Sequence, residues 1–223
     1  MHVHYIQSKI LQKLLYVPES NYAGMRPEGV ESNHFAYHLE QLLKDKLIIK
    51  EDKAYRLSGA GLAYVDRLSQ GKMVNRLQPH IVTAVDITTP AGETLLFKRR
   101  FQPYLNLVGF PLGKLHYEEP LAAAAARELA EKTGLTGLPL EHRGMVYIQA
   151  VKDGTTIGRV LYHVFHADVP EALPAVAPPE RGECFWADHR TLDPATLMPG
   201  FLRVKQLLAD GGQFFFDEIV VQL

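Results

Sequence analysis

Glu128 and Glu131 are spaced so that a helix presents both carboxylates on one face, where they can meet a single cation. The residues around them predict that helix. Pro120 serves as a first helical residue, Ala122 to Ala126 propagate the turn, and Gly134 stops it. Upstream stand an isolated acid, Glu119, and a glycine, Gly113. Two fixed carboxylates beside a glycine loop suit a divalent cation working on a phosphate ester.

The run from Gly113 to Leu135 resembles the Nudix box, whose pattern is G-x5-E-x7-R-E-U-x-E-E-x-G-U with U aliphatic. Gly113, Glu119, Arg127, Glu128, Leu129, Glu131, Gly134 and Leu135 fall on their positions. Eight such matches at fixed spacing arise by chance with a probability of roughly 10⁻⁸ per start position, so the pattern is specific. The resemblance implies hydrolysis of a phosphoanhydride in a nucleoside diphosphate linked to another moiety, with Mg2+ or Mn2+ as cofactor. It assigns the metal to Glu128 and Glu131, and orienting parts in catalysis to Glu119 and Arg127. It also lets the Gly113 loop approach the substrate phosphates closely.

One position departs from the pattern: the second acid of the Glu-Glu pair is Lys132. A change of two charge units at ~6 Å from a divalent ion, with water-like screening, costs about 3 kcal/mol. That weakens metal binding on the order of a hundredfold unless something compensates. The lysine can swing outward or contact substrate phosphate itself. Glu118, Glu180 and Glu183 are candidate replacement ligands, the last two ahead of Phe185-Trp186. Glu128 also has a plain alternative use, an i,i+4 ion pair with Lys132. Lys98, Arg99 and Arg100 close a strand and are candidate phosphate contacts. Tyr104 and Phe110 are candidates for stacking on a base, with core packing the other use of Phe110. His34 and His38 have no acid or cysteine partners in the pattern of a zinc site.

The elements that must carry these groups divide into two domains. Ile6, Ile10, Leu11, Leu14 and Leu15 fall at helical spacing, and Ser32 is placed to cap a second helix bearing Phe35, Leu39, Leu42 and Leu43. Leu47 to Lys50 and Ala54 to Leu57 read as a hairpin, and Leu62, Val65 and Leu68 as a closing helix. Residues 1–70 thereby resemble a winged helix-turn-helix domain, which implies DNA as a partner or a packing role in a homodimer. A polar linker over 71–78 follows. Residues 79–223 mix strands with one early and one late helix. The Nudix resemblance implies an α/β/α sandwich with a mixed sheet there, preceded by the small α+β winged-helix domain.

Composition narrows the function classes. Residues 1–78 carry 11 Lys/Arg against 8 Asp/Glu, a mild basicity that permits nucleic-acid contact without demanding it. The single Cys184 rules out an internal disulfide framework and is read as a small core residue. No apolar run approaches a membrane span. The expectation is a soluble cytoplasmic protein acting on a small-molecule substrate without a membrane partner. It is either a metal-dependent hydrolase or a transcription regulator whose Nudix domain senses a nucleotide.

Overall fold

The computed structural model describes residues 4–67, 78–102, 104–174 and 182–222. Most of the expected linker, together with Leu68 and Glu180, lies outside them. The chain divides into two compact units, Met1–Leu77 and Gln78–Leu223.

In the first unit α1 (Tyr5–Tyr16) is followed by a short β1 (Ser20–Asn21), α2 (Tyr22–Met25) and α3 (Ser32–Lys44). A hairpin of β2 (Ile48–Glu51) and β3 (Ala54–Leu57) and a closing α4 (Gly59–Asp66) complete it. The strands form an antiparallel sheet in the order β1-β3-β2. Ile6, Ile10, Leu11 and Leu14 of α1 pack with Phe35, Leu39 and Leu42 of α3 in one core. Two expectations need correction. Ser32 is the first residue of α3 rather than its cap, and Glu31 holds the cap position without a side-chain bond. Leu62 is 58 % exposed. The face of α4 turned inward carries Val65 and Gly61, where a Cβ would sit 1.8 Å from the Leu47 carbonyl oxygen.

The second unit is built on one mixed sheet. Its strands are β4 (His80–Thr88), β5 (Thr94–Arg99), β6 (Val108–Gly109), β7 (Leu112–Lys114), β8 (Glu141–Lys152), β9 (Thr155–Asp168), β10 (Gly182–Ala187) and β11 (Phe215–Gln222). The main order is β10-β5-β4-β9-β8-β11, with β4 parallel to β9 and β8 parallel to β11. β4 and β5 pair at Thr88 and Thr94 beside the turn at Gly92, and then diverge. Past that point β4 pairs with β7 and β5 with β6, so the split in the sheet receives the glycine segment. β7 and β11 were not foreseen from sequence.

One helix covers each face. α5 (Leu121–Thr133) sets Ala125 and Leu129 on Val85, Ile87, Leu95 and Phe165. α6 (Phe201–Ala209) sets Phe201 and Val204 on Val82, Ala84, Leu96 and Ile148. The result is an α/β/α sandwich. Pro120 is the N-cap of α5, not its first helical residue, because its ψ of 143° is extended. Gly134 ends the helix in the left-handed region at φ 73°, where glycine carries no Cβ penalty.

A charged network is buried within this unit. Asp86 of β4 is 1 % exposed and accepts from Lys205 Nζ of α6 at 2.9 Å. The same ammonium donates to Thr94 Oγ1 at 3.0 Å, and His166 Nδ1 lies 2.9 Å from the other Asp86 oxygen. Hydrogen bonding to Asp86 raises the His166 pKa above its ordinary value. Among the described residues no helix is long and apolar enough to cross a membrane.

Candidate active site

Arg127 is the hub of the conspicuous acid cluster. Its Nε and Nη2 grip Glu119 Oε1 and Oε2 at 2.7 and 2.8 Å, a forked pair with added geometric specificity. Nη2 also donates to the Lys114 carbonyl at 3.2 Å, so one side chain ties the segment after β7 to α5. Nη1 reaches Glu128 Oε1 at 2.7 Å and Glu131 Oε1 at 3.4 Å. The two acids spaced along α5 therefore meet at one cationic nitrogen. The Arg127 guanidinium holds the Glu119 carboxyl down at about 2. The same pairs raise the already high pKa of the arginine.

Glu128 is buried, with a side chain 7 % exposed, while that of Glu131 is 41 % exposed. The burial has a local cause. Glu128 lies on the inward face of α5 with Ala124, Ala125 and Leu129, and its carboxylate rests against the backbone of Gly113 in β7. A Cβ on Gly113 would fall 1.8 Å from the Glu128 carboxyl carbon. The space that a side chain at position 113 would need is filled by the Glu128 carboxylate.

Lys132 closes the arrangement. Its Nζ is 3.3 Å from Glu128 Oε2, its side chain is 12 % exposed, and the ammonium sits 5.6 Å from the centroid of the Phe97 ring. Glu128 thus has one oxygen on an arginine and the other on a lysine.

The next candidates lie on β5, on β10 and in the segments that follow β5 and β6. Along β5, Leu95 faces α5 and Leu96 faces α6, so alternation sets Phe97 on the α5 side and Lys98 on the opposite one. Arg100 forms an ion pair with Glu183 of β10 at 3.2 Å, a register neighbour of Lys98. Tyr104 occupies the left-handed region at φ 71° in the turn after β5, and burial raises its phenol pKa. Phe110 is core, packed on Phe201 at 4.4 Å between ring centroids. Sequence reasoning missed Phe97 beneath the lysine and the Lys114 carbonyl on the arginine. An aromatic facing the helix from the strand pattern was the available signal for the first.

The fold is shared with solved structures. The NUDIX domain of Shewanella oneidensis NrtR, crystallised with ADP ribose, is 18 % identical, with a TM-score of 0.52 over 69 % of this chain and 98 % of that one. A NUDIX hydrolase from Nitrosomonas europaea is 19 % identical, with a TM-score of 0.51 over 61 % of this chain and 93 % of that one. No curated protein matches the chain. The NUDIX domain model matches residues 78–208, more than half of the sequence and all of the acid cluster on α5, so the chain belongs to the NUDIX family.

Proposed function

We propose that the second unit hydrolyses a phosphoanhydride bond in a nucleoside diphosphate linked to a further group. The observation that carries this reading is the meeting of Glu128 and Glu131 at Arg127 Nη1. The five charged side chains there, three acids and two bases, sum to a net charge of −1. Such a cluster repels a diphosphate unless a cation comes with it. Among the described residues no group of three or more His, Cys, Asp or Glu converges as a metal cage. Two carboxylates are nevertheless what magnesium commonly takes from protein, with phosphate and water completing its shell. Glu128 and Glu131 would hold magnesium or manganese, and the bound ion would offset phosphate charge and acidify water.

Arg127 and Glu119 hold the two carboxylates in register and tie them to β7. The bare Cα of Gly113 gives Glu128 its place. Arg100 and Tyr104, at the far end of β5, are the proposed contacts for the rest of the substrate, and Glu183 is held by Arg100 as a reserve acid. In the reaction a water oxygen bonds to one phosphorus and the bridging P–O bond breaks. Two phosphate monoesters leave, and the water's protons pass to product and solvent.

Turnover is expected with magnesium or manganese in a screen of nucleoside diphosphate sugars, ADP ribose among them, dinucleotides and nucleoside triphosphates. Glu128→Gln should lower it about a hundredfold or more. Absence of turnover on every class sinks the hydrolase reading.

A second reading, a transcription regulator that senses a nucleotide without cleaving it, rests on Lys132 against Glu128 and on the first unit. Its order of helix, short strand, two helices and hairpin supports a winged-helix module. Asn33, His34, Tyr37 and Lys44 are exposed on α3 as groups for DNA. If this module binds DNA, affinity for the protein's own promoter region should fall steeply between about 50 and 200 mM salt, because phosphate contacts release counterions. No electrophoretic shift at either salt leaves α3 as a packing element.

A further inference from the structure

Glu128 is met by protein cations on both oxygens, and the two are held differently. Arg127 is fixed by contacts to Glu119, Glu131 and the Lys114 carbonyl in addition to Glu128. Lys132 reaches Glu128 Oε2 at the tip of a flexible four-carbon stem, with its ammonium over the Phe97 ring. An aromatic face holds an ammonium but gives it no hydrogen-bond acceptor. Lys132 is therefore the contact that can be withdrawn from Glu128 while the arginine hub stays whole. A divalent cation seeking Glu128 Oε2 competes with this ammonium directly. A diphosphate attracts the same ammonium, since its oxygens carry more charge than one carboxylate.

We propose that Lys132 couples cation binding to nucleotide binding. In the free protein its ammonium occupies Glu128 Oε2 and keeps divalent-cation affinity low. An entering diphosphate draws the ammonium onto its own oxygens and releases Glu128 for the cation. This rests on the phosphate-site reading above and adds the order of assembly and the residue that sets it. Because coupling between two ligands is reciprocal, the cation raises nucleotide affinity by the same factor. A free cation without nucleotide is then a poor ligand.

The test is calorimetry on the full chain with MnCl2 and the non-hydrolysable analogue α,β-methylene-ADP, each titrated alone and with the other saturating. Wild type is compared with Lys132→Met, which keeps the stem over Phe97, and with Lys132→Gln and Lys132→Glu. Removing one charge at ~6 Å from a divalent ion should tighten Mn2+ binding to the free protein about tenfold, and reversing it about a hundredfold. Phosphate oxygens that ligate Mn2+ contribute coupling in every variant, so the share due to Lys132 is the difference from wild type. Lys132→Met and Lys132→Gln should lose about tenfold of coupling. In EDTA, both should bind the analogue several-fold more weakly, a change opposite in sign to the gain in Mn2+ affinity. A merely structural lysine does not move these two readouts in opposite directions. Wild-type Mn2+ affinity and wild-type coupling in both neutral variants overturn the proposal while leaving the phosphate site standing. Failure of wild type to bind the analogue at any Mn2+ concentration overturns the phosphate-site reading and the proposal with it.

Discussion

Gly113→Ala should cost the protein about 3 kcal/mol and reduce turnover by about a hundredfold or more, although it adds a single methyl group. The methyl carbon would lie 1.8 Å from the Glu128 carboxyl carbon and about as close to both of its oxygens, 1.9 and 2.1 Å. No side-chain rotation relieves that overlap while Glu128 keeps its pairs with Arg127 and Lys132. Either β7 moves away from β4, where Gly113 is the register partner of Thr83, or the carboxylate leaves its pocket and strands two cations. Urea-unfolding midpoints and steady-state turnover check this. The double variant Gly113→Ala, Glu128→Ala should regain most of the stability, because the methyl group then has room, and none of the activity. Stability in Gly113→Ala equal to wild type would mean that Glu128 does not pack on that strand.

Lys205→Met is expected to destabilise the second unit by about 3 kcal/mol, since Asp86, 1 % exposed, loses the ammonium on one oxygen and keeps the His166 ring on the other. Removing one member of a buried pair is costlier than removing both. Asp86→Asn combined with Lys205→Met should therefore fall well short of the sum of the single losses. Turnover measured far below the melting transition should be unchanged, because Lys205 approaches Asp86 from α6, on the sheet face opposite α5. A loss under about 0.5 kcal/mol would show that Asp86 is adequately satisfied without the lysine.

Features written in short stretches of sequence were legible. α6 runs from Phe201 to Ala209 and β3 from Ala54 to Leu57, as their patterns imply, and α5 ends at Gly134. β11 escaped notice because Phe216 and Val220 point outward at 62 % and 61 % exposure while Phe215 points inward. With apolar groups on both faces, the alternation that marks a half-buried strand is blurred. β7 is three residues long with a glycine at its centre, too little for any period. Within the site, the i,i+4 pairing of Glu128 with Lys132 could be read from spacing. The grip of Arg127 on Glu119 and the Lys114 carbonyl could not, because it depends on how the chain turns between β7 and α5. Nor could the meeting of Lys205 with Asp86, which the sheet brings together from distant parts of the chain.

The parallel partnership of β8 with β11 bears on how the chain is made. The outer edge of β8, Gly144 to Val151, finds its partner only when Phe215 to Gln222 has left the ribosome, after β9, β10 and α6. Until then a strand carrying Val146, Ile148 and Ala150 presents open amide and carbonyl groups on one flank. The Glu119–Arg127–Glu128 cluster needs only one continuous stretch and can assemble far earlier during synthesis. A nascent chain that ends before Phe215 thus leaves that flank of β8 without its native partner, the kind of unpaired strand edge through which partly made chains associate.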